Sequence, residues 1–216
     1  MCIRDRSCTV DSNGRLYSKI TNLPKLIMPV LYHLKYGYEL EEWDLKCAQW
    51  VFLVYAVDNP DLDNIISKYV LDIGFTHAAD DWTKFKSLVK RGELYEYIQE
   101  QLGLADRGRA KALCFEILFG KVFNKDSHYT SCLRKLFPSL LQLVEGIKKE
   151  HGYKSLPNEL QQIEAEIMIN ILNTLQEDSL DVLSKHDAFI YPKAYNLTDT
   201  IYDLSLIHIS EPTRPY

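Results

Sequence analysis

The sequence predicts an α+β fold, in which helices make up most of the chain and a small antiparallel sheet the rest. Apolar residues recur at helical spacing along much of the chain, most clearly from Asn158 to Gln176. Tyr38 to Lys46 alternates roughly as a strand does. Leu180–Lys185 and Phe189–Tyr191 are short β-prone runs separated by a polar pair, which predicts a hairpin. Many helices beside a small sheet of this kind are typical of α+β domains.

The remaining elements follow from the same patterns. Ala48 to Val57 is continuously apolar, which predicts a buried helix. Asp106 is a good N-cap residue for a helix that Gly120 would end. Helical spacing predicts further helices over Leu62–Leu71, Trp82–Lys90, Glu93–Leu102, Ser127–Phe137 and Leu140–His151.

The two ends of the chain are unlike the rest. Residues 1–6 and 204–216 match translations of the two strands of a sequencing-library adapter, so we exclude them from fold reasoning and place the natural sequence from about Ser7 to Asp203. No run of about 18 apolar residues occurs, so we expect no membrane partner. The cysteines (Cys2, Cys8, Cys47, Cys114 and Cys132) are scattered and show no zinc-site spacing, which favours reduced thiols and a cytoplasmic protein.

Charge is unevenly distributed along the chain. The formal net charge is −5, which argues mildly against a nucleic-acid partner. Glu39 to Asp81 nevertheless holds ten acidic residues and two basic ones, whereas Arg107 to Lys154 holds ten basic and four acidic. An acidic region beside a basic one suits a cation site next to a phosphate-binding surface, although solvated helix faces produce the same counts.

The helix after Asp106 carries a stripe of two cations and two aromatics. Arg107, Lys111, Phe115 and Phe119 are four residues apart, so they stay near one face of the helix. The cations lie toward the N-terminus, where the helix dipole already favours an anion. A nucleoside triphosphate has the matching layout, with phosphates at one end and a flat base at the other. The alternative is an ordinary amphipathic helix with two surface cations and two core aromatics.

The exact spacing of these residues is more specific evidence than their position on one helix face. Arg107-x3-Lys111-x7-Phe119-Gly120 resembles the fingers-helix motif R-x3-K-x7-(Y/F)-G of the polymerase I-like (family A) DNA polymerases, and Phe115 occupies that family's internal aromatic position. By average composition, a chance match to the four fixed positions is expected well under about 1% of the time.

Other segments resemble the same family in the expected order. The stretch from Asp44 to Gln49 resembles the first palm motif D-Y-S-Q-I-E, and His186-Asp187 resembles the H-D-E motif on a palm hairpin. Gly14 to Ser18, followed by Asn22 to Pro24, is similar to the T-G-R-L-S-S … N-L-Q-N-I-P segment. Gln161 to Ile167 is similar to the helix holding Q-G-T-A-A-D-I, although Gln162 fits nearly as well as Gln161.

The resemblance implies a domain arrangement and a metal site. It makes 7–81 and 155–203 the two parts of a palm and 82–154 mostly helical fingers. It assigns two Mg²⁺ ions to the carboxylates of Asp44 and Asp187, with the backbone carbonyl of Leu45 as a further ligand. Two divalent ions about 3.5–4 Å apart activate the nucleophile and neutralise the leaving phosphate.

The resemblance also implies the substrate contacts of a template-dependent DNA polymerase from a phage or mobile element. Lys111 would bind the triphosphate and protonate the departing pyrophosphate, with Arg107 beside it. The incoming dNTP would pack on Phe115 and Phe119, with Gln49 at the sugar edge. Primer-template DNA would lie along Arg15, Gln161 and His186. The sequence leaves open whether a processivity factor binds as well.

Two residues depart from the family's motifs, and two alternative functions remain. Gln49 replaces the family's glutamate, which puts sugar discrimination in doubt, and Ala188 replaces the third residue of H-D-E. A single-subunit RNA polymerase of the phage or mitochondrial type shares the fingers motif but uses tyrosine where Phe119 stands. A non-catalytic helical interaction protein would have no active site, and it predicts that Asp44 and Asp187 lie far apart in the fold.

Overall fold

The computed structural model describes residues 9–18, 21, 32–33, 37–121, 128–178, 180–201 and 203. Several predictions concern residues outside these ranges, namely the adapter-like segments 1–6 and 204–216, the start of the natural sequence at Ser7, the segment Asn22 to Pro24, and a helix start at Ser127.

The chain divides into two compact units. The first, here called the sheet unit, comprises Met1–Ala48 and Gln161–Tyr216, and the second, the helical unit, comprises Gln49–Leu160. The bounds predicted for the palm and fingers, after residues 81 and 154, differ from this division and stay a prediction. Residues 49–81 belong to the helical unit because their helices pack there. Tyr69, for example, lies so close to the backbone of Gly146 that a Cβ atom on that glycine would come within 1.8 Å of the Tyr69 hydroxyl oxygen.

The sheet unit contains two small antiparallel sheets. A two-stranded sheet pairs β1 (Thr9–Val10) with β2 (Leu16–Tyr17). The other sheet has the order β3-β4-β6-β5, formed by Tyr32–His33, Tyr38–Asp44, Ala188–Pro192 and Leu183–Lys185 respectively. The predicted hairpin is confirmed as β5–β6, with His186-Asp187 at its turn, and a 3-10 turn at Lys193–Tyr195 follows it.

Eight helices have both ends within the described residues, and residues 198–201 are helical as well. The predicted helical segments are confirmed with bounds shifted by up to three residues. They are α1 (Ala48–Asp58), α2 (Ile65–Asp72), α3 (Asp80–Arg91), α4 (Leu94–Leu102), α5 (Arg107–Phe119), α6 (His128–Leu136), α7 (Pro138–His151) and α8 (Ser155–Glu177). Asn64 and Asp106 cap α2 and α5 with their side chains. The helix α8 begins in the helical unit and ends in the sheet unit.

Aromatic rings form the centre of the helical unit. Phe85 is fully buried and contacts Trp50, Trp82 and Phe137 with ring centroids 5.6, 5.4 and 5.5 Å apart. Edge-to-face and tilted contacts of this kind stabilise a core beyond the area that they bury. Helices α1 and α3 and the start of α7 are thereby joined around one cluster.

The α+β class predicted from sequence is therefore the class observed. Among the helices that the structure describes, none combines the length and apolarity that crossing a membrane requires. Gly120 does end α5, but in an extended conformation with φ −66° rather than the left-handed one usual for a terminating glycine. A glycine is needed there for space, because a Cβ atom would lie 2.4 Å from the carbonyl oxygen of Glu116.

Candidate functional site

The two aspartates of the predicted metal site lie at the same end of neighbouring strands. Asp44 is the last residue of β4 and pairs with Ala188, the first residue of β6. The backbone N–H of Leu45 donates a hydrogen bond of 3.0 Å to the carbonyl oxygen of Asp187. Asp44 is exposed and Asp187 is half-buried. The structure thus brings together two acids that are far apart in sequence.

The local sequence explains this register. His186 adopts a left-handed conformation with φ 53° at the first position of the two-residue turn, as primed hairpin turns require. The ring of Phe189 on β6 lies 6.2 Å from the ring of its cross-strand partner Trp43, measured between centroids. Five consecutive residue pairs, from Asp44 opposite Ala188 to Leu40 opposite Pro192, hold the two strands in this register.

The face of β4 that carries Asp44 also carries Glu42, since alternate residues of a strand share a face. Glu42 forms an ion pair of 3.4 Å with Lys185 on β5. Ala188, directly opposite Asp44, adds no carboxylate to this group.

The turn between β1 and β2 lies against α8. The side-chain amide of Asn13 donates to Gln161 Oε1 at 2.6 Å, and the guanidinium of Arg15 contacts the Glu164 carboxylate at 2.7 Å. Gln162 is exposed, so Gln161 is the glutamine that faces this turn. Sequence reasoning missed Glu164, whose side chain is only 1% exposed. The sequence did contain an indication of Glu164, because an acid three residues after Gln161 falls on the same face of a helix.

His186 lies beside this hairpin. Its ring meets the Tyr17 ring edge-on, with centroids 4.9 Å apart. Burial lowers the pKa of His186 below its usual value, and the charge of Arg15 lowers it further while Asp187 acts in the opposite direction. Burial and the charge of Arg15 therefore both favour the neutral imidazole. Within the described part of the chain, neither its buried Nδ1 atom nor the buried Nε atom of Arg15 has a hydrogen-bond partner.

The donor set at the strand ends suits a hard cation. Mg²⁺ binds carboxylate and carbonyl oxygens and keeps several water ligands, so two acids and a carbonyl suffice when a substrate supplies more. Asp44, Asp187 and the carbonyl of Leu45 are donors of this type. No cluster of three or more His, Cys, Asp or Glu side chains suited to a metal occurs among the described residues.

In the helical unit, the α5 stripe lies at the surface. Arg107 is paired with Glu96 at 2.5 Å, and its guanidinium carbon lies 5.0 Å from the centroid of the Tyr95 ring. Lys111 is exposed, and its Nζ atom lies 5.4 Å from the centroid of the Phe115 ring. Both cations are thus held beside aromatic rings, where the cation–π interaction is weakly favourable.

The two aromatics of the stripe are not core residues. Phe115 and Phe119 are half-buried, and their rings stack with centroids 5.4 Å apart and planes 8° apart. The amphipathic-helix alternative predicted two core aromatics at these positions. The core-facing side of α5 is formed instead by Ala110, Cys114, Ile117 and Leu118. Gln49, the predicted sugar-edge residue, is 7% exposed in the first turn of α1.

A second residue that sequence reasoning missed is Lys148. It is only 9% exposed, and its Nζ atom donates hydrogen bonds to the carbonyl oxygens of Ile117 and Gly120 at 2.5 and 2.9 Å. The available signal was its position four residues after Val144 and seven after Leu141, on the apolar face of α7.

Comparison with protein-family models, with curated proteins and with solved structures found no match to this chain.

Proposed function

We propose that this chain is a piece of a template-dependent DNA polymerase that transfers nucleotides from dNTPs to a primer 3′ end. The observation that carries the proposal is the adjacency of Asp44 and Asp187 at the ends of β4 and of the β5–β6 turn. A non-catalytic interaction protein predicts the opposite, a wide separation of these acids. The α5 motif supplies the second, independent support.

Asp44 and Asp187 would hold two Mg²⁺ ions together with the carbonyl oxygen of Leu45. When bound, the ions lower the pKa of the primer 3′-hydroxyl and neutralise charge on the departing pyrophosphate. This chain would contribute rigidity, since Asp44 ends the β4–β6 ladder and the carbonyl of Asp187 accepts from the N–H of Leu45. Catalytic groups on strand ends keep their geometry better than groups on long loops.

The stripe on α5 would bind the incoming nucleotide. Lys111 would contact the triphosphate and donate a proton to the leaving pyrophosphate, and Arg107 would exchange its pairing with Glu96 for phosphate oxygens. The stacked rings of Phe115 and Phe119 leave a half-exposed flat surface, which suits the sugar and base. Gln49 would line the sugar edge.

The β1–β2 turn and the hairpin would contact primer-template DNA through Arg15, Gln161 and His186. Arg15 Nε and His186 Nδ1 are buried polar atoms that have no hydrogen-bond partner among the described residues. Groups of this kind are costly unless a ligand or water satisfies them. Phosphate and sugar contacts would supply affinity for the DNA, whereas base pairing with the template would select the incoming nucleotide.

Primer extension tests the proposal. The full chain is incubated with primed template DNA, Mg²⁺ and either dNTPs or rNTPs, with Asp44→Asn as the negative control. We expect primer-dependent incorporation of dNTPs. Ribonucleotide polymerisation without a primer would support the RNA polymerase alternative instead. If Mn²⁺ binding, measured by calorimetry, is the same in wild type, Asp44→Asn and Asp187→Asn, the metal site is refuted.

A further inference from the structure

Lys148 joins α7 to the end of α5. Its Nζ atom donates to the carbonyl oxygens of Ile117 and Gly120, at 2.5 and 2.9 Å. The last four carbonyl groups of a helix lack partners within the helix, and a cation near them also interacts favourably with the helix dipole. Lys148 therefore satisfies carbonyls that α5 itself leaves open.

These two carbonyls flank Phe119 in sequence. Ile117 precedes it by two residues, and Gly120 follows it directly. The N–H of Gly120 also donates to the carbonyl of Glu116 at 2.8 Å, and no side chain larger than hydrogen fits there. The backbone on both sides of Phe119 is thus held by hydrogen bonds, which fixes the direction of its Cα–Cβ bond on the side of α5 where its ring stacks on that of Phe115.

Packing alone does not explain a lysine at this position. Burying an ammonium group costs free energy, and burial lowers the pKa of Lys148 from its ordinary value of 10.5 to about 8. A methionine of similar length would fill the space without that cost. The lysine differs from it in supplying N–H donors for two carbonyls, and the neutral amine retains enough donors for both.

We propose that Lys148 is a positioning residue for nucleotide binding, which holds the C-terminal end of α5 so that Phe119 presents its ring to the incoming base. This inference rests on the proposed function of α5. It assigns to the Lys148 amine a role in nucleotide affinity that acts through Phe119 and not through contact with the substrate.

The test compares Lys148→Met with Lys149→Met, a matched change at the next residue, which is exposed. Hydrogen exchange reports the amides at the end of α5, and steady-state extension at saturating primer-template reports KM and kcat for dNTP. We expect faster exchange at residues 117–120 in Lys148→Met only. Losing hydrogen bonds from a charged donor should raise KM for dNTP about tenfold while kcat changes less. Lys148→Arg, which keeps the donors, should restore most of the affinity.

The outcomes separate this inference from the proposed function. Wild-type KM in Lys148→Met, with or without faster exchange, would overturn the positioning role. If Lys148→Met does not fold, Lys148→Arg is compared with wild type. Wild-type hydrogen exchange at the end of α5 together with a raised KM for dNTP in that variant would overturn the positioning role as well. Failure of the wild-type chain to bind or incorporate dNTP would overturn the proposed function and this role in nucleotide affinity together. Hydrogen exchange would still show separately whether Lys148 holds the backbone of α5.

Discussion

The N–H of Leu45 donates to the carbonyl oxygen of Asp187 at 3.0 Å, one residue beyond the pairing of Asp44 with Ala188. This bond extends the β4–β6 ladder into the hairpin turn. Directly paired residues of antiparallel strands have Cα atoms about 5 Å apart. The two aspartates are therefore attached to neighbouring backbone positions at one end of the sheet.

Asp44→Asn and Asp187→Asn should each abolish primer extension while leaving DNA binding and folding intact. Each amide removes a negative charge that a divalent ion needs, and metal stabilisation worth several kcal/mol corresponds to a loss of roughly a thousandfold or more in rate. Extension rates, DNA affinity by anisotropy and thermal unfolding would be measured together. Glu39→Gln is the matched control, because Glu39 is an exposed acid on the opposite face of β4. Retained activity in either aspartate variant would refute the metal assignment.

Local patterns in the sequence were enough to predict most of the elements and the hairpin that carries His186-Asp187. Asp106 was identified as a cap from its residue type alone, and its side chain does accept from the N–H of Arg109 at 2.8 Å. Such features depend on neighbours within a few residues. They are therefore visible in a single sequence.

Partners distant in sequence were not predictable in this way. Glu164 pairs with Arg15 across 149 positions, and Lys148 reaches carbonyls about 30 positions away. The assignment of residues 49–81 to the helical unit depends equally on distant packing, as between Tyr69 and Gly146. Spacing along one helix shows which face is apolar, but it does not show which charge on that face finds a partner.

Arg15→Met should destabilise the sheet unit by about 3 kcal/mol, because it leaves the buried carboxylate of Glu164 without its cationic partner. Urea unfolding measures the change, and the double variant Arg15→Met/Glu164→Met should recover much of it. Arg91→Met is the control, since the Arg91–Glu93 pair is more than half exposed and should contribute less than about 1 kcal/mol. Equal losses in the two single variants would contradict this account of burial.

Phe119→Ala should raise KM for dNTP about tenfold, since stacking of a base on an aromatic ring contributes roughly 1–3 kcal/mol. It also removes the ring that stacks on Phe115. Steady-state extension kinetics at saturating primer-template measure the effect. Phe75→Ala is the control, because Phe75 is a half-buried aromatic of the helical unit that lies outside α5. An unchanged KM in Phe119→Ala would remove this ring from the nucleotide site.

The stability of the wild-type chain should rise relative to Lys148→Met as the pH increases from about 8 to about 10. Burial lowers the pKa of Lys148 to about 8 in the folded chain, against an ordinary value of 10.5 when unfolded. Between these values the unfolded chain binds a proton that the folded chain has released, so raising the pH favours folding. The stability gained by releasing the Lys148 proton is fully present above the pKa of the unfolded chain. It is lost as the pH falls through the pKa of the folded chain.

Urea unfolding of both proteins across this pH range measures the difference, in which the titration of all other groups cancels. The exposed Lys149 provides the control, because its side chain is not buried on folding and Lys149→Met should therefore follow the wild-type profile. Parallel profiles for wild type and Lys148→Met would mean that the amine is solvated in the folded chain. The two carbonyls at the end of α5 would then be held by something other than a buried lysine.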